Sequence, residues 1–134
     1  MEHQGRCHCG AIRVAFETEK PLAPRACQCS FCRKHGAAYT SDPAGEIRFT
    51  HEDASALARY RFGQKTADFI FCGRCGGYLG AVTEEGGQAL MVLNLRALDP
   101  QPEGLPAAQS MSYEGETTGD RNTRRSARWT PVRN

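Results

Sequence analysis

Several short stretches of the chain alternate apolar and polar residues with a period of two. Ala11-Ile12-Arg13-Val14-Ala15-Phe16-Glu17 is the clearest, and that period is the signature of a half-buried strand. Tyr39-Thr40-Ser41 and Glu46-Ile47-Arg48-Phe49-Thr50 read as two more, split by the turn sequence Asp42-Pro43-Ala44-Gly45. Ala58 to Phe62 alternates again. Asp68-Phe69-Ile70-Phe71 enters a pair of cysteines, and Tyr78 to Thr83 leaves it. Glu84-Glu85-Gly86-Gly87 is a hairpin turn before Ala89 to Leu95, a continuous apolar run that fits a buried strand. Ser30 to Lys34 fits one helical turn stopped by Gly36, and Glu52 to Leu57 a short helix. No long amphipathic helix and no repeat period emerges. The pattern predicts an all-β domain of short strands with helical turns.

The composition changes after Asp99. Pro100, Pro102 and Pro106 punctuate a loop, and residues 117 to 134 hold five Arg against one Asp. We therefore expect a β domain over 1–106 and an Arg-rich tail over 107–134, weakly structured or packed on the domain through Trp129. At 134 residues with net charge +2, neither length nor charge asks for a second domain or an acidic partner. No apolar run approaches the ~20 residues that span a bilayer. The first residues lack the charged and apolar regions of a secretory signal, so a cytoplasmic location is expected.

Seven cysteines change this picture. An odd number fits a closed disulfide framework poorly, and a reducing compartment keeps thiols free. They fall at short spacings: Cys7-x-Cys9, Cys27-x-Cys29-x-x-Cys32 and Cys72-x-x-Cys75. The C-x-x-C knuckle gives two thiolates to one side of an ion, and Gly76, like Gly10, would close its turn with a positive φ. Cys7 and Cys9, at strand spacing, point to one face and supply the second pair. Cys7, Cys9, Cys72 and Cys75 then form a closed four-thiolate zinc site. Cys27, Cys29 and Cys32 give three thiolates and leave a fourth position open, as catalytic zinc does. Such a zinc suits an incoming thiol better than water, because thiolates weaken its Lewis acidity. Arg33 and Lys34 next to the triplet would hold a substrate carboxylate. Disulfides, a 4Fe–4S cluster and a metal-free redox triplet are the alternatives.

The other ionisable residues carry less. His8 should point away from the two cysteines flanking it. His35 is either a fourth ligand or a proton carrier near the triplet, or neither. Asp42, Glu46, Glu84 and Glu85 sit at turns and are expected to be solvated. Phosphate-binding loops, nucleophile elbows and H-E-x-x-H helices are absent.

Gly5-Arg6-Cys7-His8-Cys9-Gly10, Cys27-Gln28-Cys29-Ser30-Phe31-Cys32-Arg33-Lys34 and Phe71-Cys72-Gly73-Arg74-Cys75-Gly76, in that order, resemble the glutathione-dependent formaldehyde-activating enzyme (Gfa) / centromere protein V family. Asn94-Leu95-Arg96-Ala97-Leu98-Asp99 resembles a later strand of it. The resemblance covers about Gly5 to Asp99. It implies a zinc-containing β-tent of intersecting antiparallel sheets. It implies two zinc ions: a structural one at Cys7, Cys9, Cys72 and Cys75, and a labile catalytic one at Cys27, Cys29 and Cys32, where glutathione acts. The implied activity is that of a carbon–sulfur lyase, joining glutathione or another small thiol reversibly to formaldehyde or another aldehyde. Gln28 and the segment after Pro100 depart from the family pattern. The rival reading is a non-catalytic zinc module that binds protein or nucleic acid through its basic tail.

Overall fold

The computed structural model describes residues 1–133 and is mostly β. The strands are β1 (Glu2–Arg6), β2 (Ile12–Glu17), β3 (Arg25–Cys27), β4 (Tyr39–Thr40), β5 (Glu46–Glu52), β6 (Leu57–Tyr60), β7 (Asp68–Cys72), β8 (Tyr78–Glu85), β9 (Gln88–Asn94), β10 (Gln109–Met111) and β11 (Thr130–Pro131). The helices are α1 (Ser30–His35) and α2 (Thr118–Arg128), with a 3-10 turn at Leu95–Ala97. One sheet runs β1-β2-β5. The larger runs β10-β3-β4-β9-β8-β7-β6, with β11 also on β9. All strand pairs are antiparallel except β10 with β3.

The core lies between the sheets. Ile12, Val14 and Phe16 point inward from β2 at every second position and meet Ile47, Leu79 and Met91, all with 1% exposure or less. Burying each such side chain stabilises the fold by about 1.5–3 kcal/mol. The continuous apolar run of β9 is explained by burial on both faces. Met91 and Leu93 enter this core, while Leu90 and Val92 enter a second one with Cys32, Tyr39, Tyr78 and Trp129.

Two local expectations differ from the structure. Glu52 to Leu57 is not a helix: β5 runs to Glu52, and a turn held by the Leu57 N–H on the Asp53 carbonyl passes into β6. Asp42 is buried rather than solvated. Its carboxylate accepts from the Thr18 hydroxyl (2.6 Å) and the Ala44 N–H (2.9 Å) and faces Lys20 (3.2 Å), so it pins the turn between β4 and β5.

Residues 107–134 hold β10, α2 and β11. A capping box starts α2: the Thr117 hydroxyl accepts from the Asp120 N–H, and the Asp120 carboxylate accepts from the Thr117 N–H. Trp129 and Thr130 behind it are buried, and β11 pairs with β9. Among the described residues no helix is long and apolar enough to cross a membrane.

Candidate metal centres and the cavity beside them

The seven thiols gather into two groups of four and three. In the first, Cys7 and Cys9 come from the turn after β1, Cys72 from the end of β7, and Cys75 from the turn behind it. Cys7 and Cys9 are not on a strand as expected. The Gly10 N–H returns to the Cys7 carbonyl (3.1 Å), so the chain bends there and carries both sulfurs to one side. Gly10 (φ 81°) and Gly76 (φ 76°) take the left-handed turns that the spacing required. Gly77 lies so near this turn that a Cβ on it would sit 3.0 Å from that of Cys7. His8 is exposed and belongs to neither group.

The Cys7 and Cys9 sulfurs are 3.7 Å apart, and those of Cys9 and Cys72 3.6 Å. Zn–S bonds of about 2.3 Å in a tetrahedron place sulfurs about 3.8 Å apart. A disulfide would need about 2.05 Å, and all seven cysteines are free. The four-thiol group therefore fits a tetrahedral ion. The backbone N–H groups of Cys9 and Gly77 pull the Cys75 thiol down to about 6, favouring the thiolate a metal needs.

Cys27 ends β3, Cys29 caps α1, and Cys32 lies one turn into it. Their sulfurs lie within 4.8 Å of one another, so this group can also hold an ion. The Cys29 sulfur accepts from the Cys32 N–H (3.4 Å), and Gly36 ends the helix in the left-handed conformation. Hydrogen bonds from the Cys27 and Cys32 thiols hold the Cys29 thiol well below its ordinary value. The same neighbours, with burial, push Cys32 up.

A cavity of about 430 Å³ opens on the triplet, within the usual range for small-molecule pockets. Its apolar wall includes Phe62, Phe69, Val92 and Trp129. Tyr39 also lines it. Its hydroxyl is hydrogen-bonded to both the Cys32 sulfur (3.0 Å) and the Tyr78 hydroxyl (2.7 Å). Burial pushes both phenols far up, so both stay protonated at neutral pH.

Arg33 and Lys34 do not line this cavity; both are exposed. Cys32 faces inward from α1, and a helix turns about 100° per residue, so the next two side chains point away. His35 is exposed too. It stacks on Phe31 at 4.2 Å, its Nδ1 bonds the Phe31 carbonyl (2.9 Å), and it is not among the grouped ligands. The cavity's cations are Arg25 of β3 and Arg121, Arg124 and Arg125 of α2.

Sequence reasoning missed Tyr39, Arg25 and the α2 arginines as site residues. The available signal was the spacing 121, 124, 125, 128, a single helical face, behind the T-x-x-D of Thr117–Asp120. An arginine stripe does not look like a buried face, so it read as a tail.

A family model described as glutathione-dependent formaldehyde-activating enzyme matches residues 2–114. The chain belongs to that family. The match spans both cysteine groups and ends before α2. The crystal structure of a Rhodobacter sphaeroides protein is similar, with a TM-score of 0.61 and 28% identity. The similarity covers 81% of this chain and 99% of that one. Family membership supports a glutathione-dependent, formaldehyde-activating function in general and makes glutathione the expected partner.

Proposed function

We propose that this protein is a zinc-dependent carbon–sulfur lyase that joins a small thiol, glutathione first among candidates, reversibly to an aldehyde such as formaldehyde. Zinc is the ion proposed for both groups. Cys7, Cys9, Cys72 and Cys75 hold it as a closed structural site. Cys27, Cys29 and Cys32 hold it with one position left for substrate. The observation that carries this reading is a three-thiol group on the wall of a pocket large enough for a tripeptide. Zinc bound there supplies one thing, holding the incoming thiol as thiolate.

The chain's own residues do the rest. In the forward direction a sulfur lone pair forms the S–C bond, the C=O π pair moves onto oxygen, and that oxygen takes the proton the thiol gave up. Phe62, Phe69, Val92 and Trp129 limit water around the reacting carbon. Tyr39 fixes the Cys32 sulfur through its hydroxyl and is itself fixed by Tyr78. Holding two reactants together can supply about 7–11 kcal/mol of the barrier. Three of the four α2 arginines line the cavity, and two of these are paired with Glu116, which leaves less of the tail's charge for a nucleic acid than its composition suggests.

The test is exchange spectroscopy of glutathione with carbon-13 formaldehyde in the presence of zinc-loaded protein. We expect exchange faster than the uncatalysed rate and two zinc ions per chain. Protein carrying two zinc ions that leaves the exchange rate at background would refute the reading.

A further inference from the structure

Arg125 is the most unusual charge in the molecule. It is 6% exposed, and no carboxylate lies within 4.0 Å of it among the described residues. One guanidinium nitrogen donates to the Thr66 hydroxyl (2.7 Å), and the group lies 4.8 Å over the Trp129 ring. Its Nε is buried without a hydrogen-bond partner. Burial and the charges of Arg124 and Arg121 pull its pKa down to about 10, which still leaves it charged at neutral pH. A buried charge without a counter-ion is costly, and such groups are normally paired.

The neighbouring cations are differently placed. Glu116 takes Arg124 in two hydrogen bonds (2.9 and 3.1 Å) and lies 3.5 Å from Arg121. Arg25 reaches the Ser41 hydroxyl and is itself partly desolvated. Four arginines therefore line the cavity with Glu114 as the carboxylate on its wall. Glu116 and Glu85 act on Arg125 only from beyond ion-pair distance, so a carboxylate on a ligand would be its first direct counter-ion. Arg's flat fork suits a carboxylate in particular.

We propose that Arg125, seconded by Arg25, is a carboxylate-binding subsite that selects acidic thiols for the triplet. The proposal rests on the reading that the triplet takes the thiol. It goes further by placing the specificity on α2, outside the segment that matches the family. A structural strut could hold Thr66 and cover Trp129 as well, but it would not discriminate between an acid and its ester.

The experiment is calorimetric titration of zinc-loaded protein with S-methylglutathione and with its diethyl ester. The first carries carboxylates and no free thiol, so its affinity reads the anion subsite without the triplet chemistry. We expect the acid to bind the wild type at least tenfold more tightly than the ester. Arg125→Met, similar in length and apolar, should fold and reduce that ratio to near one, with ester affinity unchanged. Equal binding of acid and ester by the wild type overturns the proposal, and needs no variant. A folded Arg125→Met that keeps the full ratio overturns it too. If the ratio holds but glutathione binds no better than S-methylglutathione, and Cys29→Ser changes neither, the subsite stands and the thiol reading falls.

Discussion

The two cysteine groups use the same chemistry in opposite ways. The group of four draws its sulfurs from the turn after β1 and from the end of β7 and the turn behind it, strands of different sheets, so an ion there would tie the two sheets together. The group of three lies within six consecutive residues and ties nothing distant. It faces a cavity instead. Ligand number follows the same division: four sulfurs complete a tetrahedron, three leave a vertex. On the proposed reading, one residue type serves stability in one place and chemistry in another, according to the chain separation and the space left around it.

The sharpest way to break this comparison is to remove one ligand from each group. Structural zinc contributes roughly 10–16 kcal/mol of apparent binding free energy, more than most of a domain's net ~5–15 kcal/mol. Cys72→Ser should therefore lose cooperative unfolding altogether in a thermal melt. Cys29→Ser should melt close to the wild type, retain one zinc by elemental analysis and show background formaldehyde exchange. A Cys29→Ser variant that unfolds as badly as Cys72→Ser would make both groups structural.

A finer cut goes to the hydrogen bond on the Cys32 sulfur. Tyr39→Phe keeps the ring and removes the hydroxyl bonded to the Cys32 sulfur; with that sulfur charged by a bound ion, such a bond is worth about 1.5–3 kcal/mol. Exchange should slow by roughly tenfold or more, while the melting temperature moves far less than in Cys72→Ser. Unchanged turnover would separate the phenol pair from the chemistry.

The smallest effect concerns Glu116, which holds α2 beside the triplet cavity. A hydrogen bond from Arg124 holds its carboxyl below the ordinary 4.5. A depressed carboxyl stabilises the fold fully above the unfolded value, and the contribution fades as pH falls through the folded one. Glu116→Gln should lower the melting temperature slightly at pH 7, and the difference should vanish in acid below the folded value. A gap that persists there would mean the lost interaction is not this ion pair.

Much of the first hundred residues was legible because its signals are local. Alternation placed β2, β5 and β6, and cysteine spacing with its glycines gave the four-plus-three division. What was not legible depends on chain brought in from afar. Asp42 reads as a turn residue, and only Thr18 and Thr130 packing on that turn make it buried. Arg33 and Lys34 looked well placed in sequence, yet helical rotation turns them outward. The α2 stripe was hidden most deeply, since an arginine face is buried only where something else supplies charge or space.

The separation of Cys9 from Cys72 by 63 positions also sets an order of events. Closing that loop costs about 2 kcal/mol more chain entropy than gathering Cys27, Cys29 and Cys32. On a ribosome the triplet is complete while Cys75, 43 residues further on, is still to be made. At about 5–20 residues per second that is a lead of roughly 2–9 s. With zinc limiting, the local trio is expected to close on an ion before the sheet-joining quartet does. Refolding in substoichiometric zinc, followed by thiol-labelling mass spectrometry, should then find Cys27, Cys29 and Cys32 protected before Cys72 and Cys75.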